Sequence, residues 1–163
     1  MLTTPVQLAS ATATLSQIGH RLTPHIVAST QRYDDIELTP VPIEPLADTP
    51  VEDPHHWTRV IDAMREVVHG KRGTARKIAE DIQFDIAGKT GTAQVFGLKQ
   101  EEKYEADKLA KELHDHSLFI AFAPVDEPRI AVAVVVEHGG SGSAVAAPIA
   151  RIILDQYLIE KPS

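Results

Sequence analysis

Two aliphatic runs separated by a four-residue turn constrain this chain more than any other feature. Ser117 to Pro124 and Arg129 to His138 favour extended backbone, and Val125-Asp126-Glu127-Pro128 joins them. Parallel strands need a crossover of a dozen residues or more, so a link this short implies an antiparallel hairpin. The second run carries valine on both faces, which predicts a central, buried strand. A sheet is therefore required, and the remaining elements must cover it.

Helices are available for that task. Thr4-Pro5-Val6-Gln7 fits a capping box with proline at the first helical position. Leu8, Ala11, Leu15 and Ile18 then predict one apolar face, and Gly19 a stop. A short extended piece follows over residues 24–29. A second helix is expected from Asp53-Pro54, with Trp57, Val60, Ile61, Met64 and Val68 at helical spacing and Gly70 as its end. Trp57 and Met64 read as core packing. Residues 100–114 predict a charged surface helix, read as a solvated face rather than a partner surface. A final helix over 144–158 is expected to turn Ile149, Ile152, Ile153 and Tyr157 to the sheet.

Between the first two helices, five prolines with acidic residues among them fall from Pro40 to Pro54. Proline fixes φ and removes a donor, so residues 33–54 are expected to form an extended surface linker. Residues 84–95 predict a further strand. The reading is thus an α/β chain of α+β type: an antiparallel sheet of about three strands flanked by helices. Three strands make a thin sheet, so partner strands are expected outside this chain, with an edge or face left uncovered.

Composition excludes several functions. The 163 residues carry a net charge of −7 without a block of lysine and arginine, which argues against nucleic-acid or anionic-membrane binding. Cysteine is absent, which removes disulfides, thiolate metal sites and cysteine nucleophiles. No apolar run reaches membrane-spanning length, and the N-terminus lacks the features of a signal peptide. Taken as a whole gene product, the chain would stay in the cytoplasm.

The chemistry concentrates at Gly88-Lys89-Thr90-Gly91-Thr92. Lysine and two threonines on one strand offer a cation and hydroxyl donors to a carboxylate. Strand N–H groups facing a cleft can also act as oxyanion donors. Glycine inside a strand implies close approach by another backbone. Alone, such a triplet is common. Its context is not. Ala87-Gly88-Lys89-Thr90-Gly91-Thr92-Ala93-Gln94 resembles the third active-site motif of penicillin-binding proteins. Gly73-Thr74-Ala75 precedes it at that family's distance. His116 to Pro124, Glu137-His138-Gly139-Gly140-Ser141-Gly142 and Leu2 to Ala9 resemble further family segments in order. Ala93 to Lys99 and the Asp115-His116 pair are similar to the elongation-type class B members called penicillin-binding protein 2. The division-type penicillin-binding protein 3 ranks second, and a serine β-lactamase relative third.

The resemblance implies an incomplete penicillin-binding transpeptidase fold, of the serine β-lactamase-like kind, over residues 1–163. It implies part of a peptidoglycan D,D-transpeptidase, in which a serine attacks the D-Ala-D-Ala stem peptide and a neighbouring amine resolves the acyl-enzyme. By the same resemblance, Lys89 positions the substrate carboxylate and tunes the proton network. Thr90 and Thr92 bind that carboxylate or its β-lactam counterpart. Gly91 keeps the strand open, and the Thr92 N–H forms half of the oxyanion hole. No cofactor is implied. The full-length form is expected to sit on the periplasmic face of the inner membrane through an upstream anchor, with cell-wall elongation proteins as partners.

Two family motifs are missing. No serine is followed three residues on by lysine, and the absence of asparagine rules out Ser-x-Asn. Thr74-Ala75-Arg76-Lys77 is read as accidental. Both motifs lie upstream in the family, so their absence is expected to reflect truncation, and the chain alone is expected neither to transpeptidate nor to acylate. A non-catalytic interaction module retaining part of the fold is the alternative. His114, His116 and His55-His56 are read as capping and packing residues rather than metal ligands. Gly139 to Ser143 is read as a plain strand-to-helix turn.

Overall fold

The hairpin forms as its turn length requires. In the computed structural model, which describes residues 3–34, 36–95 and 114–159, strand β6 (His116–Ala123) pairs antiparallel with β7 (Ile130–Val136), so that Phe119 lies opposite Val134. On its other side β6 pairs antiparallel with β5 (Ala87–Ala93), bringing Lys89 opposite Ile120 and Gly91 opposite Leu118. The order β5–β6–β7 corrects one expectation. The central strand is β6, whose residues are buried along most of its length, whereas β7 is an edge with Val135 exposed. Valine on both faces reports a strand covered above and below, but says nothing about its lateral neighbours.

Apolar side chains cover both faces of this sheet. Phe119, Ala121, Ala123 and Val132 pack against Ala146, Ala147, Ala150 and Leu154 at and within α3 (Ala147–Leu158). On the opposite face, Ala87 and Phe122 pack against Met64 of α2 (His55–His69), with Leu15 of α1 (Pro5–Ser16) and Ile61 beside them. Phe119 and Phe122 are fully buried, each contributing roughly 2–3 kcal/mol of transfer free energy.

The face chosen by α3 differs from the sequence expectation. Ile149, Ile152, Ile153 and Tyr157 are 38–67 % exposed, while the small residues Ala147 and Ala150 are buried with Leu154. Both sets satisfy the helical period. The sheet lies too close for a row of isoleucines, so the alanine side wins. A π-helical turn, Gly142–Ala146, leads into this helix.

Helix α1 shows the capping box: the Gln7 N–H donates to Thr4 Oγ1 at 3.3 Å and the Thr4 N–H to Gln7 Oε1 at 2.8 Å. Its buried residue is Thr12, while Ala11 and Ile18 are exposed. Thr12 satisfies its hydroxyl by donating to the Leu8 carbonyl at 2.7 Å, which lets a polar side chain lie inside. Ile18 has φ +54°, past the helix end, and points outward. Gly19 follows at φ +93°, where a Cβ would stand 2.9 Å from the Trp57 ring. In α2, Met64 and Val68 are buried, and Val60 is exposed.

The proline-rich stretch is extended and lies on the surface, folded back into two ladders of two residues. β1 (Arg21–Leu22) pairs with β4 (Pro45–Leu46), and β2 (Ser29–Thr30) with β3 (Thr39–Pro40). The charged helix expected over 100–114 lies, except for His114, outside the described residues.

Candidate ligand-binding strand at the sheet edge

β5 pairs with β6 along one side, and no strand pairs with its other side among the described residues. Side chains alternate across it. Lys89 and Gly91 share the face of Ala87, toward α2, and Thr90 and Thr92 share the opposite face with Gly88. Lys89 and Thr92 are exposed, and Thr90 and Gly91 are half-buried. The Lys89 ammonium donates to the Thr90 carbonyl at 2.6 Å, so the cation lies along its own strand. The strand thus gathers a cation and two hydroxyls at one open edge, a set suited to a carboxylate.

The glycines have particular causes. At Gly88 a Cβ would stand 2.5 Å from Phe119 Cζ, so this glycine makes room for the core ring rather than for a ligand. The close backbone approach expected beside Lys89 and Thr90 comes from the π-helical turn. A Cβ on Gly142 would stand 2.5 Å from both the Gly91 and the Leu118 carbonyl oxygens. The turn before α3 therefore presses directly on the strand carrying Lys89.

A buried serine holds that turn in place. Ser117 Oγ donates to the Ser141 carbonyl at 3.0 Å and accepts from the Ala146 N–H at 3.1 Å. The preceding loop is tied to β6 as well. His138, at φ +55°, donates its N–H to His116 Nδ1 at 3.0 Å, and the Gly140 N–H donates to the Asp115 carbonyl at 2.7 Å. The rings of His116 and His138 meet edge-on with centroids 4.9 Å apart. His116 therefore meets His138 across the sheet end, and among the described residues no three metal-binding side chains come together.

The entry to β5 is anchored from α2. Arg65 donates through Nε and Nη2 to Asp85 Oδ2, at 2.7 and 2.5 Å. That hydrogen bond, followed by the carboxylate's charge, raises the Arg65 guanidinium above its ordinary value. His69 Nε2 accepts the Ile86 N–H at 3.0 Å, one residue before the strand.

Sequence reasoning gave no role to two residues beside the strand. Thr74 Oγ1 lies 3.2 Å from Thr90 Oγ1. Its only sequence signal is its place in Gly73-Thr74-Ala75. Gly142 is the other, hidden within a turn that reads as a plain connection. A groove of about 520 Å³ lies elsewhere, between α1, Arg21, Leu46 and Trp57.

Comparison with known proteins adds the family. Residues 1–155 match the penicillin binding protein transpeptidase domain. The peptidoglycan D,D-transpeptidase MrdA of Haemophilus influenzae is 41 % identical over 97 % of this chain, which spans 24 % of that relative. The structure of Pseudomonas aeruginosa PBP2 in complex with WCK 5153 superposes with a TM-score of 0.76 at 41 % identity, over 96 % of this chain and 31 % of that one. Penicillin-binding protein A of Mycobacterium tuberculosis, as its imipenem acyl-enzyme, superposes with a TM-score of 0.71 at 27 % identity, over 96 % of this chain and 31 % of that one. With the helix-flanked antiparallel sheet, these matches establish that the chain belongs to the penicillin-binding-protein transpeptidase family, alongside its penicillin-binding protein 2 members.

Proposed function

We propose that this chain is the C-terminal, carboxylate-binding part of an elongation-type peptidoglycan D,D-transpeptidase. The observation that carries the reading is the open β5 edge, which bears Lys89 on one face and Thr90 and Thr92 on the other, inside a family match over residues 1–155. Lys89 attracts the terminal carboxylate of a D-Ala-D-Ala stem peptide, or that of a β-lactam. Thr90 and Thr92 donate their hydroxyl protons to it. Gly91 leaves the strand open, and the Thr92 N–H supplies half of the oxyanion hole. A serine outside this chain attacks the penultimate carbonyl and releases D-alanine, and an amine of a second stem peptide resolves the ester.

On this reading residues 1–163 act as one portion of a transpeptidase domain, with 33–54 as a surface excursion. The upstream portion docks on the β7 edge and on the exposed face of α3, where Ile130, Ile152, Ile153 and Tyr157 line one groove. The full-length enzyme works on the periplasmic face of the inner membrane with elongation proteins. No helix among the described residues is long and apolar enough to cross a membrane. Loss of the nucleophile costs a serine hydrolase on the order of 10⁶ in turnover, so the chain alone is inactive.

Fluorescent penicillin, read by denaturing gel and intact mass, tests the proposal. The chain alone is expected to give no adduct. A fusion of the upstream transpeptidase residues of the Haemophilus influenzae relative to this chain is expected to give one adduct per molecule. A stoichiometric adduct on the folded chain alone, or none on a folded fusion, would overturn the reading.

A further inference from the structure

The hydroxyl pair Thr74–Thr90 joins the candidate strand to a segment that the chemistry above does not use. The two oxygens lie 3.2 Å apart across 16 residues of sequence. Thr74 stands on a shelf fixed by backbone contacts on both sides. The Gly73 N–H donates to the Gly70 carbonyl at 2.9 Å, and the Ala75 N–H to the Val67 carbonyl at 2.9 Å. Ala75 is buried, and a Cβ on Gly73 would stand 2.4 Å from the Val67 carbonyl oxygen, so the segment lies hard against the end of α2. The turn beyond it is held by Arg151, whose Nη1 donates to the Ile78 and Glu80 carbonyls. Thr74 thus takes its position from α2 and α3, independently of Thr90.

Proton counting sets the direction of the bond. Each hydroxyl has one proton and two lone pairs. An anion accepts only protons. If Thr90 donated to Thr74, it would turn lone pairs toward a carboxylate and repel it. If Thr74 donates, the Thr90 proton is free to face the anion, and its donor strength rises through the chain of hydrogen bonds.

We propose that Thr74 is a positioning residue, which donates to Thr90 Oγ1 so that Thr90 presents its proton to a ligand carboxylate. This rests on the carboxylate-binding reading of β5. Thr74 then contributes to selectivity for anionic over neutral ligands without touching either.

The test uses the fusion described above and compares acylation by benzylpenicillin with acylation by its methyl ester, which lacks the anion. In Thr74→Val the second-order rate with benzylpenicillin is expected to fall about tenfold, the scale of one charge-assisted hydrogen bond. The rate with the ester is expected to stay within about twofold, and Thr74→Ser to restore most of the preference. Equal slowing with both compounds, an unchanged preference, or no rescue by serine would overturn the positioning role while leaving the carboxylate reading intact. An unsubstituted fusion that shows no preference for the acid would overturn the carboxylate reading itself, and this proposal with it.

Discussion

The two edges of the β5–β6–β7 sheet are dressed for opposite purposes. Along β5 stand a lysine and two threonines, backed by a third hydroxyl at 3.2 Å. Along β7 stand Val135, partly exposed, and the groove of Ile130, Ile152, Ile153 and Tyr157. Both edges leave ladder groups unpaired among the described residues. An unpaired ladder invites pairing wherever large apolar side chains can be buried with it, and resists pairing where charge must be desolvated. The β7 edge therefore reads as a joint and the β5 edge as a receptor.

Substitutions can break or sharpen this contrast. Phe119→Ala removes a fully buried ring between the two edges and is expected to cost about 4 kcal/mol, read from urea unfolding; both edges should fail together. Gly142→Ala places a methyl group against two carbonyl oxygens and is expected to cost about 3 kcal/mol. Its amide chemical shifts should move at Gly91 and Thr92 far more than along β7. Ser117→Ala strands the Ala146 N–H and is expected to cost about 2 kcal/mol. At the edges themselves, Ile152→Lys and Lys89→Gln should each change the stability of the chain alone by less than about 0.5 kcal/mol. In the fusion they part company. The first should lower the unfolding midpoint and the second only the acylation rate. Equal effects on both readouts would erase the distinction between joint and receptor.

Much of this arrangement was legible before any coordinates. The hairpin followed from its turn, α2 from its period, and the placing of Lys89, Thr90, Gly91 and Thr92 on one strand from the strand expected over residues 84–95. The parts not legible share a cause: each depends on what lies opposite. The edge position of β7 depends on neighbours a sequence window does not contain. The burial of Ala147 and Ala150 in place of Ile152 and Ile153 depends on how close the sheet stands. Thr12 is buried because its hydroxyl turns back on its own helix, which a polarity scale counts against it. Thr74 is one hydroxyl among many until the fold lays it beside Thr90.

The contact of Gly142 with Gly91 and Leu118 has a consequence for where variation matters. The segment from Gly139 to Ala146 works as an indexing pin: it sets the height and register of the strand that carries Lys89, Thr90 and Thr92. Changes there would shift this strand while every residue of Lys89-Thr90-Gly91-Thr92 stayed intact. A survey confined to that motif would score such variants as unaltered.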